Sequence, residues 1–189
     1  MKNLLMQLTS GDMKPRELQR CIQDSDAPEM RYRRAIVGVS LVGIGAMAIV
    51  SLLQTGIVRH LPDPPVDTPH FDSDKVNTTE EAFGYGMPDG PLTLAAHATM
   101  LALAAAGPPE RYNNRKWLPL LATTLALPQA AIAAKYLFYQ MPKVDKAWCP
   151  YCVTDALVHF TILGLTVPET MKALGLLGGD ADKVGQARD

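Results

Sequence analysis

Cys149 and Cys152 are the residues of this chain best suited to chemistry, because they form the motif Trp148-Cys149-Pro150-Tyr151-Cys152 ahead of an apolar run. Two cysteines three positions apart on a helical turn lie close enough to form a disulfide. Pro150 fits the first turn of a helix, where the positive pole of the helix dipole favours the reactive thiolate. The motif predicts a redox-active pair, with a static structural disulfide as the alternative.

Composition excludes several other classes of protein. The formal net charge of −1 over 189 residues argues against a nucleic-acid partner, because no strongly basic face is evident. The chain has 3 cysteines, so Cys21 has no partner once the motif is paired. This number does not fit a disulfide-rich secreted domain.

Four apolar runs predict an all-α integral membrane protein, a four-helix bundle with an extracytoplasmic loop between helices 1 and 2. Runs of this length cross a bilayer at about 1.5 Å per residue, although the second run is short. A soluble helical bundle is the alternative. The predicted helices are about 35–58, 91–107, 117–139 and 149–168, within a membrane domain of 35–170. We expect an N-terminal segment, 1–34, on the cytoplasmic side and a flexible C-terminal tail, 171–189.

Positive charge near the helix ends predicts the orientation of the bundle. One basic cluster precedes the first helix and another connects the second helix to the third; its members are Arg31, Arg33, Arg34, Arg111, Arg115 and Lys116. With four crossings both clusters share one side, which is then cytoplasmic together with both termini. The cysteine motif and the acidic loop 59–90 face the opposite, oxidising compartment.

Four titratable residues lie inside the apolar runs, where each needs a partner or a role: His97, Lys135, Asp155 and His159. Asp155 follows Cys152 by three positions and His159 continues the same face. Lys135 falls at a similar depth, which predicts a Lys135–Asp155 ion pair that locks two helices together. Alternatively, Asp155, His159 or His97 carries a proton or donates a hydrogen bond to a bound quinone.

The loop histidines, His60 and His70, match no familiar metal site, so we expect them to be solvated and expect no metal.

A quinone is the acceptor that this placement favours. Oxidation of a dithiol to a disulfide releases two electrons and two protons, and a quinone accepts both. The quinone lies in the bilayer whereas a protein substrate lies in water. We therefore expect Cys149 at the water-accessible entrance, where thiol–disulfide exchange begins, and Cys152 one turn further in, facing the acceptor.

These residues resemble the vitamin K epoxide reductase family in its bacterial form, over about residues 36–170. The resemblance includes the Cys-x-x-Cys that opens the last helix. It also includes Val76-Asn77-Thr78 and Phe83-Gly84-Tyr85-Gly86-Met87-Pro88, similar to the family's Asn-Ser … Phe-Gly-Ile-Pro stretch. It implies a bundle around a quinone, ubiquinone or menaquinone, in the bacterial inner membrane. Cys152 is then the sulfur nearest the ring, Cys149 its exchange partner, and Asn77 a cap on the quinone pocket.

The chain departs from the family pattern in two places. The first outer loop of family members usually carries a second cysteine pair, but loop 59–90 has none, and Ala156 replaces an aromatic residue. Cys149 is therefore expected to react directly with an extracytoplasmic, thioredoxin-like thiol protein. The alternatives are a non-catalytic membrane assembly subunit with a static disulfide, and a four-helix quinone-dependent disulfide oxidase of different ancestry.

Overall fold

The computed structural model describes residues 13–66 and 70–177, and these ranges contain helices but no strand. The predicted all-helical class is confirmed. The α-helices are α1 (Pro15–Asp24), α2 (Pro28–Gln54), α3 (Ser73–Asn77), α4 (Asp89–Ala105), α5 (Arg111–Asn114), α6 (Trp117–Lys135) and α7 (Pro150–Ala173). A turn of 3-10 helix, Glu81–Phe83, precedes α4, and a π-helical segment, Tyr136–Asp145, continues α6. The first twelve residues and most of the predicted tail lie outside the described ranges.

Three of these helices are long and apolar enough to cross a membrane: α2, α6 with its π-helical continuation, and α7. Helix α4 has only 17 residues, so the fourth predicted crossing stays a prediction. Helix α2 packs against both α4 and α7, and α7 also packs against α6. Helices α4 and α6 make few contacts with each other, which leaves a gap between them.

The observed bounds differ from the predicted ones at both ends of the chain. Helix α2 begins at Pro28, because proline fits the first helical position, and so includes the first basic cluster. Helix α7 continues through Pro168 to Ala173 instead of ending near it. Contacts made after the proline hold that last turn: Thr170 Oγ1 donates to Pro119 O at 2.9 Å.

The two basic clusters lie at the same end of the bundle, opposite the cysteine motif, but two of their members are structural. The Arg33 guanidinium donates to four carbonyls at the end of α4 and in the following turn, Ala104, Ala106, Gly107 and Pro108. Such carbonyls otherwise lack partners. Arg111 forms a two-pronged ion pair with Glu169, both bonds at 2.7 Å. Because Arg33 and Arg111 are buried, they are not the interfacial charges that the orientation argument counted.

Candidate functional site

Cys149 and Cys152 lie at the start of α7 as two free thiols with their Sγ atoms 2.7 Å apart. Cys149 is the N-cap residue, and its Sγ accepts the backbone N–H of Cys152 at 3.2 Å. An N-cap side chain satisfies a backbone N–H that has no partner within the helix. The local capping of α7 therefore brings the two sulfurs together.

Asn77, at the end of α3, bridges the two thiols. Its Nδ2 donates to Ser73 O at 2.7 Å and to Cys149 Sγ at 3.2 Å, and its Oδ1 lies 3.3 Å from Cys152 Sγ. A carboxamide has two N–H donors, so both are used. The resemblance implies that Asn77 caps a quinone pocket; in this dithiol state its amide holds the sulfurs.

The hydrogen bonds around Cys149 favour its thiolate. Burial alone raises the pKa of this thiol, but hydrogen bonds from the Cys152 thiol, the Asn77 amide and the Cys152 backbone outweigh burial and lower the pKa from 9.0 to about 7. Cys149 accepts in each of these contacts, whereas the Cys152 thiol donates. These hydrogen bonds therefore favour the state in which Cys149 is the thiolate and Cys152 keeps its proton.

The expected exposure of Cys149 to water is wrong, because its side chain is completely buried. Helix α3 packs against it together with Met141 and Ala147, and hydrogen bonds of Asp63 and Asp74 hold α3 in place. Asp63 accepts the backbone N–H and the hydroxyl of Ser73 at 2.8 and 2.5 Å, and Asp74 accepts Leu61 N–H at 2.8 Å. We call residues 59–66 and 70–77 the lid.

The lid also pairs with the strand-like segment that leads into the motif. Asp72 N–H donates to Trp148 O at 3.0 Å, and Trp148 N–H donates to His70 O at 2.8 Å. The predicted solvation of the loop histidines fits His60, whose ring is exposed and lies 2.7 Å from Asp74.

A largely apolar cavity of about 480 Å³ lies on the other side of Cys152, between α4, α6 and α7. Its walls include Leu92, Ala95, Ala96, Leu125, Ile132 and Ala133. Asn77, Cys152, Asp155 and His159 line it, whereas Cys149 does not. Cys152 is therefore the sulfur that a bound molecule would meet.

The predicted Lys135–Asp155 ion pair is wrong. Lys135 is half-exposed at the end of α6, pairs with Glu81 of the 3-10 turn and does not line the cavity. Asp155 instead contacts two histidines: His97 Nε2 lies 2.6 Å from Oδ1, and His159 Nε2 lies 3.4 Å from Oδ2. His97 is fully buried and stands behind Asp155, outside the cavity wall.

Sequence reasoning missed a polar group at the mouth of the cavity. Asp89 accepts hydrogen bonds from Gln54 Nε2 at 2.7 Å and from Tyr136 Oη at 3.1 Å. Both Asp89 and Tyr136 line the cavity. The sequence places Asp89 in a Pro-Asp-Gly turn and Gln54 in an apolar run, so only the meeting of helices reveals the cluster.

Gln129 is a second missed residue. It lines the cavity, and its Oε1 is buried without a hydrogen-bond partner among the described residues. An acceptor left unpaired in an apolar environment is costly unless a ligand or water completes it. This atom therefore points to a bound molecule that carries a donor.

The two thiols lie between a loop and an apolar cavity, in a chain that has helices long and apolar enough to cross a membrane. These features define a membrane protein with a candidate redox site. A family model described as "Vitamin K epoxide reductase family" matches residues 34–167, more than half of the chain. The chain therefore belongs to the vitamin K epoxide reductase family, which confirms the resemblance. Members are generally oxidoreductases, so a membrane redox function follows. No curated protein and no solved structure matched the chain.

Proposed function

We propose that this protein is a membrane thiol–disulfide oxidoreductase that passes electrons from an extracytoplasmic thiol protein, through Cys149 and Cys152, to a quinone. The observation that carries the proposal is the position of the two sulfurs. Cys152 lines an apolar cavity, while Cys149, 2.7 Å away, does not line it and is buried beneath the lid. In this proposal Cys152 reacts with the quinone and Cys149 reacts with the partner protein.

The cavity fits the ring of a quinone in size and chemistry. Its volume lies in the usual range of about 300–1,000 Å³ for small-molecule sites. The cavity lies between α4 and α6, and we propose that an apolar tail leaves it between these helices. When bound, a quinone accepts two electrons and two protons. Tyr136, whose hydroxyl donates to Asp89, lines the cavity, and the unpaired Gln129 Oε1 offers an acceptor for a quinol hydroxyl.

The partner protein meets Cys149, which requires the lid to move. We propose that the cysteine end of the bundle faces the extracytoplasmic side, because Arg31, Arg34 and Lys116, the exposed members of the two basic clusters, lie at the other end. Once α3 moves, a thiolate of the thioredoxin-like partner attacks Cys149 of the oxidised pair and releases Cys152. The low pKa of Cys149 then makes it a good leaving group when the partner's second thiol resolves the mixed disulfide. Separation of Asp63 from Ser73 is the local event that this movement needs.

Trapping in membranes tests this proposal. Cys152→Ala should accumulate a mixed disulfide between Cys149 and an extracytoplasmic protein, whereas Cys149→Ala should trap none. Cys21→Ala is the matched control, because Cys21 is exposed on α1 at the opposite end of the bundle. Alkylation should also show that added quinone oxidises the wild-type pair. If quinone leaves the pair unchanged and Cys152→Ala traps nothing, the proposal fails.

The complete burial of Cys149 favours a second candidate, a non-catalytic assembly subunit with a static pair. This candidate predicts that the pair stays in one redox state whether quinone or reductant is added. It also predicts that Cys149→Ala and Cys152→Ala lower the amount of assembled complex equally. The oxidoreductase predicts unequal effects, because only Cys149 bonds to the partner.

A further inference from the structure

His97, Asp155 and His159 form a buried cluster, which we call the triad, one helical turn below Cys152. Asp155 and His159 line the cavity, and His97 reaches Asp155 from α4. The two imidazole rings stack with centroids 4.5 Å apart. The triad is thus shared between two helices and touches the space that we assign to the quinone.

The hydrogen bonds of the triad indicate where its protons lie. A carboxylate only accepts, so His97 Nε2, at 2.6 Å from Asp155, must carry a proton. Nδ1 of the same ring is buried and has no partner among the described residues. An orphaned lone pair is tolerated better than an orphaned N–H, so His97 is neutral. His159 Nε2 lies 3.4 Å from Asp155 Oδ2, so His159 is the ring placed to hold a proton that balances the Asp155 charge.

The thiol pair cannot supply all the protons that quinone reduction consumes. Cys149 accepts three hydrogen bonds, which favours its thiolate, so the reduced pair holds a single proton on Cys152. A quinol needs two protons, so one more must reach the ring from outside the thiol pair. Asp155 and His159 are titratable groups in the cavity wall beside Cys152.

We propose that the triad is a proton-loading site in which His159 donates the second proton and Asp155 and His97 position it; this rests on the proposed function. As Cys149 and Cys152 form their S–S bond, two electrons pass to the quinone, Cys152 gives one proton and His159 gives the other. The partner dithiol then reduces the pair: the partner disulfide forms, one thiolate and one thiol return, and the remaining proton reloads His159. The sum is partner dithiol plus quinone giving partner disulfide plus quinol.

A divalent metal is the competing occupant, since the ligand atoms of the triad lie within 4.8 Å of one another. Two features favour the proton. The 2.6 Å contact between His97 and Asp155 is a direct hydrogen bond, shorter than two ligands of one ion usually allow. A metal-bound histidine also donates its other ring N–H to a partner, which His97 Nδ1 lacks among the described residues.

Nitrogen-15 NMR of the histidines tests the proposal without quinone. The chain has 4 histidines, so single substitutions assign each signal. At pH 7 we expect His97 as the neutral Nε2–H form and His159 as an imidazolium that Asp155→Asn abolishes, with His70→Gln as the control. A neutral His159 would overturn the proposal. So would stoichiometric zinc in the purified protein that is lost in His159→Gln.

Kinetics then separates this proposal from the function beneath it. Asp155→Asn and His159→Gln should slow quinol formation about 100-fold or more, the usual contribution of a positioned acid. Their thiol pairs should react with the oxidant diamide as fast as wild type. Imidazole should rescue His159→Ala, and the non-basic oxazole should not. If these variants form quinol at the wild-type rate, the proton-loading proposal is overturned but the proposed function is not. If the wild-type protein forms no quinol, both proposals are overturned.

Discussion

Gly43→Ala tests the packing that holds the triad. A Cβ built on Gly43 lies 2.5 Å from His97 Nε2 and 2.7 Å from two ring carbons, closer than side chains approach. The ring cannot retreat cheaply, because it is fully buried, stacks on His159 and bonds to Asp155. The substitution must therefore displace His97 or separate α2 from α4.

Gly45→Ala is the matched control for Gly43→Ala. Gly45 is exposed on the same helix, and its added Cβ meets nothing within 4 Å. Both alanines gain about 0.5–1 kcal/mol from helix propensity. Only Gly43→Ala suffers overpacking, which costs about 1–3 kcal/mol. The free energies of unfolding of the two variants should therefore differ by about 1–3 kcal/mol, with Gly43→Ala the less stable.

Reversible unfolding in detergent micelles, followed by tryptophan fluorescence, measures this difference. Gly43→Ala should also change the nitrogen-15 signals of His97, which Gly45→Ala should leave in place. Equal unfolding free energies with unchanged His97 signals would refute the close contact between α2 and α4 at this point.

Three further predictions concern the thiols, the lid and the basic end. The ultraviolet thiolate absorbance of the reduced protein should appear as pH rises through about 7 and disappear below it, because hydrogen bonds lower the pKa of Cys149; Asn77→Ala should raise that midpoint. Asp63→Ala should speed maleimide labelling of Cys149, because the lid loses two hydrogen bonds. Arg111→Met should cost about 3–5 kcal/mol of unfolding free energy, because it leaves a buried carboxylate unpaired.

Matched substitutions check each of these results. Glu80→Ala, on an exposed residue between α3 and the 3-10 turn, should leave maleimide labelling unchanged. Lys135→Met breaks an exposed ion pair and should leave the unfolding midpoint in place. Thiolate absorbance that appears only near pH 9 would contradict the hydrogen-bond account of Cys149, and slow labelling of Asp63→Ala would contradict the role of the lid.

The sequence was sufficient for features that depend on local pattern. Apolar runs predicted helices, and the spacing of Cys149 and Cys152 predicted adjacent sulfurs, because both follow from the geometry of one helix. The stripe from Cys152 through Asp155 to His159 was predicted for the same reason. All three residues line the cavity.

Features that depend on how helices rotate against one another were not predictable. Lys135 and Asp155 have similar depths, but depth does not fix direction, and Lys135 turns toward Glu81. Cys149 was expected to meet water because it begins a helix, yet it is buried beneath the lid. No sequence pattern indicates how the lid pairs with the rest of the chain. Only the structure shows that the His97 ring fills the space beside Gly43.

The most direct measurement is a single turnover with reduced protein and a stoichiometric amount of quinone. The quinol formed is quantified by absorbance, and the Cys149–Cys152 disulfide is quantified by mass spectrometry. The account predicts one quinol for each disulfide, and neither product with Cys152→Ser. Quinol that forms without the disulfide, or a Cys152→Ser protein that reduces quinone at the wild-type rate, would contradict it.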